Sequence, residues 1–155
     1  MGISMDKFDQ HLLELLQQDG RLSTVELAER VGLSASPCAR RLKKLEQQGV
    51  IEGYSALLNR QKIGIAMTVF VEVSLSNHQA QSIDKFEAEI VEMKQVVSCH
   101  VVSGAYDYLL EVVSQDLNDY ELFIRQLQCV DNVKDIHTHM AMRQVKGRAS
   151  LPILN

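Results

Sequence analysis

Four cations in five residues, Arg40, Arg41, Lys43 and Lys44, stand in a segment without an acid, flanked by Ser34, Ser36, Pro37 and Gln47. Arg clamps phosphate or reads a guanine edge in bidentate fashion, Lys acts mainly as a point charge, and Ser or Gln reaches base edges or phosphates. That chemistry is recognition of double-stranded DNA, with Ser34, Ser36, Pro37, Arg40, Arg41, Lys43, Lys44 and Gln47 as the candidate contacts. A second pair, His137 and His139, lies two residues apart in a strand-like run and so shares one face, a spacing suited to proton transfer or metal ligation. No third ligand at recognisable spacing joins them and no nucleophile motif occurs, so the sequence predicts no metal, no cofactor and no catalytic residue.

The basic run needs a helix and a second helix to hold it. Ser23 and Glu26 spell a capping box, and Leu27, Ala28 and Val31 form an inward stripe behind it. Gly32 supplies a backbone that takes positive φ at the corner, while the small Ala28 lets the next helix approach. That helix opens at Ser34 or Ser36, either of which can cap, and it tolerates Pro37 in its first turn. Cys38, Leu42 and Leu45 then face the core, which turns Ser36, Arg40, Lys43, Lys44 and Gln47 outward and leaves Arg41 on the flank. A preceding helix, capped by Asp6 and ended by Gly20, carries Phe8, Leu12, Leu13, Leu15 and Leu16 as the prop behind this helix-turn-helix. Gly49 stops the basic helix, and Val50 to Leu58 reads as a short extended segment of the sort that forms a wing. These observations define a DNA-binding domain over residues 5–58 and a polar linker over 59–66.

From Thr68 the period changes. Val69, Val71, Val73 and Leu75 alternate with more polar neighbours, as in a strand. Ile83, Phe86, Ile90 and Met93 return to helical spacing, with Glu87, Glu89 and Glu92 turned to solvent. Val96–Ser103 and Tyr108–Val113 are strand-like runs joined at Gly104 to Asp107. A helix from Leu117 or Asn118 follows, and Val133–Val145 closes the chain with Ile136, Thr138, Met140 and Met142 on one face and His137, His139 and Ala141 on the other. The order strand, helix, strand, strand, helix, strand over residues 67–155 predicts an α+β, ferredoxin-like βαββαβ sandwich. Its second sheet face, expected to be rich in Val, Leu and Met, calls for a second copy of the chain as cover, hence a homodimer.

A chain of 155 residues that is 46 % hydrophobic buries a respectable core. Its net charge of -4 hides the basic run, since residues beyond Lys62 carry most of the acidic excess. Attraction to DNA must therefore be local and salt-dependent, which favours several copies of the motif in one assembly. Cys38, Cys99 and Cys129 form no CxxC pair and read as reduced, buried packing residues. No apolar run approaches a membrane span and no signal peptide precedes Met5, which predicts a cytoplasmic protein without a membrane partner; Met1–Ser4 is assigned to neither domain.

The run Leu33–Glu46, the Gly49-Val50-Ile51 that follows and the hairpin Gly104-Ala105-Tyr106-Asp107-Tyr108 together resemble the Lrp/AsnC family of bacterial and archaeal feast/famine regulators, over nearly the whole chain. The resemblance implies an N-terminal winged helix-turn-helix and a C-terminal regulation-of-amino-acid-metabolism (RAM) domain that dimerises and assembles into octamers or related rings. It further implies an amino-acid effector bound between dimers, at Gly104, Tyr106, Asp107 and Tyr108 of one subunit and His137, Thr138 and His139 of a neighbour. Asp107, the backbone near Gly104, Thr138 and the histidines supply groups that an ammonium and a carboxylate need. Two other readings stand beside it: a regulator with no effector, and an enzyme like the sirohaem decarboxylases of similar architecture, in which His137 and His139 would meet a tetrapyrrole carboxylate.

Overall fold

Asp6 opens the first helix, α1 (Lys7–Gln18), with a reciprocal box in which its carboxylate takes the Asp9 N–H while the Asp9 carboxylate takes its own. The computed structural model describes residues 5–147 and 150–153, so Met1–Ser4 and residues 148, 149, 154 and 155 of the expected C-terminal domain lie outside the described residues. Ser23 and Glu26 form the same kind of box at the start of α2 (Thr24–Val31), and Gly32 ends that helix at φ 73°. Helix α3 (Ala35–Gln47) starts after Ser34, which occupies the capping position without a side-chain hydrogen bond; Ser36 is already inside the helix. Gly49, at φ 70°, closes α3: its own N–H reaches the Glu46 carbonyl and the Val50 N–H reaches Leu45. This paired termination is what a left-handed glycine after a helix provides.

Leu12, Leu27, Ala28, Val31 and Cys38 form the core of this three-helix unit, with Leu15, Leu16, Leu22, Leu33 and Leu42 around it. Gly20 departs from the expected role. Helix α1 ends one residue earlier at Asp19 in extended backbone, and Gly20 lies against the Tyr54 ring, whose Cδ1 would be in ordinary contact, 3.5 Å, with an added Cβ. Tyr54 also donates to Glu46 at 3.0 Å, tying the segment after α3 back to it; no strand forms over residues 50–58 among the described residues. The chain from Lys146 onward groups with this N-terminal unit and not with the sheet domain to which its place in the sequence assigns it.

The second unit, Leu58–Val145, is built on β1 (Met67–Leu75). After it come α4 (Ala80–Glu92), β2 (Val96–Val101), β3 (Tyr108–Ser114), α5 (Leu117–Gln128) and β4 (Val133–Met140). The sheet order is β2-β3-β1-β4 and every pairing is antiparallel, the ferredoxin-like arrangement that the element order predicts. Val69, Val71, Val73 and Leu75 of β1 with Tyr108, Leu110 and Val112 of β3 meet Phe86, Ile90, Phe123 and Leu127 from the two helices. Strand β4 stops at Met140, five residues short of the expected Val145.

The uncovered face differs from the expected Val, Leu and Met surface. Pairing register lines up His100, Leu109, Glu72 and His137 in one row across the four strands and Ser98, Glu111, Phe70 and His139 in the next. Phe70, 39 % exposed, and Leu109 are the apolar members of these two rows, and Val113 stands beside Thr68 in the row after them. Arg60, from the connector before β1, lies over part of it, donating to Thr68 Oγ1 at 2.9 Å and to Glu111 Oε1 at 2.7 Å. Of the cysteines only Cys38 is buried; Cys99, on the edge strand β2, and Cys129, just past α5, are both exposed.

Asp9 both completes the α1 cap and faces α3. Replacing it by Ala is expected to lower the stability of the N-terminal unit by about 1–2 kcal/mol, the scale of a lost cap plus a charge-assisted hydrogen bond. Urea denaturation measures this, and an unchanged midpoint would show that the Asp9 carboxylate contributes nothing to the unit.

Candidate functional site

Ser34, Ser36, Arg40, Lys43, Lys44 and Gln47 are exposed along one side of α3, and Pro37 is half-buried beside them. The opposite side carries Cys38 and Leu45, both buried, so packing fixes which way the cations point. Arg40, Lys43 and Lys44 make no ion pair among the described residues. Their charge remains available to phosphate. A 13-residue helix extends about 20 Å, enough to lie in a major groove with several side chains at base edges.

Arg41 differs from that set in being paired within the fold. Its guanidinium bonds Asp6 at 2.7 Å and Asp9 at 2.8 Å, and it lies over the Phe8 ring with Cζ 5.4 Å from the centroid. The Asp9 and then the Asp6 carboxylate raise its pKa further. Its Nη1, held by two carboxylates, fastens α3 to the start of α1. That pairing follows from its flank position, which faces the acidic first turn of another helix.

The seven candidate effector residues separate in space. Tyr106 and His137 meet, with ring centroids 5.1 Å apart, joining the β2–β3 hairpin to the last strand. His139 shares the uncovered face with His137 and lies 3.4 Å from Glu72 Oε2. Thr138 points to the other side of the sheet, where its surroundings include the Tyr120 hydroxyl. Tyr108 is withdrawn from any surface site: it is 4 % exposed, packs on Phe86 with centroids 4.7 Å apart, and donates to Glu87 Oε1 at 2.8 Å. Burial, then that bond, pushes its phenol pKa up. Glu87, expected to face solvent alone, is thereby a partner of the core. Gly104 holds φ 128° with open space around it, a conformation that side chains rarely adopt.

Asp107 is engaged by its own fold. Its Oδ2 accepts the Leu75 amide at 2.7 Å, its Oδ1 contacts His78 Nε2 at 2.9 Å, and its backbone N–H donates to Val73. The Leu75 amide first, and His78 second, hold its carboxyl below the ordinary value. His78 was not legible as a partner, because it lies in the turn after β1 and nothing local links it to a residue 29 positions away. No group of three or more His, Cys, Asp or Glu side chains arranged for a metal occurs among the described residues.

Two family models match the chain. A family described as winged helix-turn-helix DNA-binding matches residues 5–52, and one described as Lrp/AsnC ligand binding domain matches residues 68–151. The leucine-responsive regulatory protein of Salmonella typhimurium is 39 % identical over 153 residues, covering 98 % of this chain and 93 % of that one. That of Escherichia coli K12 is 38 % identical over the same spans. Among solved structures, a Neisseria meningitidis transcriptional regulator in complex with L-Met superposes with a TM-score of 0.92 at 36 % identity, over 96 % of this chain and 97 % of that one. An AsnC family regulator from Agrobacterium tumefaciens gives 0.91 at 36 % identity with the same coverage.

Two outcomes are expected from these sites. Alanine at Arg40, Lys43 or Lys44 should weaken binding to DNA and reduce the salt slope by about one for each phosphate interaction removed, whereas Arg41→Ala should lower the melting temperature; equal effects of all four on the salt slope would refute the distinction. Because the folded Asp107 carboxyl titrates below its unfolded value, its contribution is present above that value and is lost as pH falls through the folded one. Asp107→Ala should therefore cost about 1–2 kcal/mol at pH 7 and progressively less as pH falls below the ordinary carboxyl range, in urea melts over a series of pH values.

Proposed function

The chain belongs to the Lrp/AsnC family of transcriptional regulators, and from that premise we propose that an amino acid, bound where copies of the sheet unit meet, controls how the oligomer holds DNA. The coarse assignment is direct: it is a DNA-binding transcriptional regulator with a winged helix-turn-helix and a ligand-binding domain. The observation that carries the finer one is the contact between Tyr106 and His137, which brings the hairpin and the last strand together at an exposed strand edge. In one copy the remaining candidates do not converge, so a complete pocket needs groups from a neighbour. A similar regulator in complex with L-Met supports an amino acid as the ligand class.

In the proposed assembly, dimers associate into an octamer in the cytoplasm, and paired helix-turn-helix units place α3 in successive major grooves. Half-sites then fall about 10 bp apart, or at multiples of that spacing. An effector favouring one assembly over another by about 1–3 kcal/mol changes DNA affinity by about 5–150-fold, and DNA changes effector affinity by the same factor. No catalytic step enters this reading.

A thermal-shift screen of the twenty amino acids tests it. A ligand present at 100 times its Kd stabilises the native state by about 2.7 kcal/mol and raises Tm accordingly. One or a few amino acids should do so, and His137→Ala should abolish the shift while leaving the melting of the unliganded protein in place. A flat screen together with a clear gel shift on the protein's own promoter would favour a regulator that needs no effector.

A further inference from the structure

Tyr106 and His137 meet across the sheet unit, and the two segments that carry them are tied to one turn. That turn runs over residues 76–79, between the end of β1 and Gln79 at the start of α4. On the hairpin side, Asp107 Oδ2 accepts the Leu75 amide and Asp107 Oδ1 meets His78 Nε2. The Asp107 N–H donates to the Val73 carbonyl at 3.0 Å and its carbonyl accepts the Val102 N–H at 2.9 Å, so the residue next to Tyr106 also closes the hairpin. A carboxylate only accepts, so Nε2 of His78 carries the hydrogen whether the ring is neutral or protonated.

On the other side, Asn132 grips the turn immediately before β4 begins at Val133. Its carbonyl accepts the Ser76 N–H at 2.8 Å, its Oδ1 accepts the Asn77 N–H at 2.8 Å, and its Nδ2 donates to the Asn77 carbonyl at 2.7 Å. Asn77 Oδ1 accepts the Gln79 N–H at 2.8 Å, which fixes the backbone on both sides of His78. Asn132 stands at φ 75°, the one non-glycine residue with positive φ among the described residues. Glycine would take that backbone more freely, whereas asparagine tolerates it and brings the carboxamide that the turn needs.

We infer that His78 and Asn132 are positioning residues of the candidate effector site: the turn is a strut that fixes the hairpin relative to the start of β4, and so sets Tyr106 against His137. This rests on the proposed reading that an amino acid binds there. The His78 side chain is 63 % exposed and that of Asp107 30 % exposed. A pair so open to water adds little to global stability, so its effect is local, on the shape of the hairpin.

Hydrogen exchange of the full chain, read by mass spectrometry, tests the strut. In His78→Ala, exchange over residues 102–107 should speed up about tenfold while residues 110–113 of β3 keep their protection. His78→Gln, which keeps an N–H donor at similar reach, should return the hairpin to within about threefold of wild type. Asn132→Gly suits the backbone and removes only the carboxamide; it should loosen residues 102–107 as well, and adding it to His78→Ala should have no further effect there. An unchanged hairpin in His78→Ala, equal loosening of β3, or additive effects of the two substitutions would each overturn the inference. Each of the twenty L-amino acids, titrated singly by calorimetry, then reads the site itself. Any that binds wild type should bind His78→Ala about tenfold more weakly and His78→Gln nearly as well as wild type; unchanged affinity in His78→Ala overturns the role at the site. If none binds wild type, the effector reading fails by itself, and hydrogen exchange alone decides the strut.

Discussion

Strand β1 has β3 on one side and β4 on the other, with Val69, Val71, Val73 and Leu75 buried on one face. The rest of the sheet unit is constrained by that burial. Because strand side chains alternate, fixing the four apolar residues inward fixes Thr68, Phe70, Glu72 and Ser74 outward, and register then decides which residues of the flanking strands stand beside them. The two histidines of β4 and the imidazole of His100 share one face because β1 leaves them no other. The Asp107 carboxylate works at the same place: by taking the Leu75 amide it completes the last backbone bond of β1 and holds the hairpin against it.

In the N-terminal unit, charge takes the organising part that apolar burial plays in the sheet. Its core is small, and α3 is anchored to α1 by a guanidinium bound to two carboxylates as well as by Cys38 and Leu45. An arginine so placed answers two needs at once. It orients the helix so that Arg40, Lys43 and Lys44 face outward, and it cancels acidic charge that would otherwise repel phosphate close to them.

Local chemistry made much of this legible in advance. Caps at Asp6 and Ser23, the left-handed glycines at 32 and 49, and the alternation of β1 each follow from residues within a few positions of one another. What stayed hidden depends on partners far apart in the chain: Arg41 with Asp9, Tyr108 with Glu87, Asp107 with His78, Gln17 with Leu151. Arg41 reads as one more cation until the acidic turn of α1 is placed beside it. Tyr108 reads as a hairpin tyrosine until the strand register sends it into the core. The candidate effector residues divide between the core and the two sides of the sheet for a related reason, since a resemblance transfers positions along a chain, whereas the direction of each side chain is set by pleat and burial.

The register of β4 against β1 shifts between Ser74 and Leu75. Beyond that irregularity the strand commits His137 and His139 to one face and Thr138 to the other. Loss of a single residue in the turn before β4 would slide the strand by one position and exchange these faces, presenting a hydroxyl where two imidazoles had been. The same slide would carry Ile136, which packs against the core, to the uncovered side, so the apolar side of β4 is what holds the two imidazoles in place.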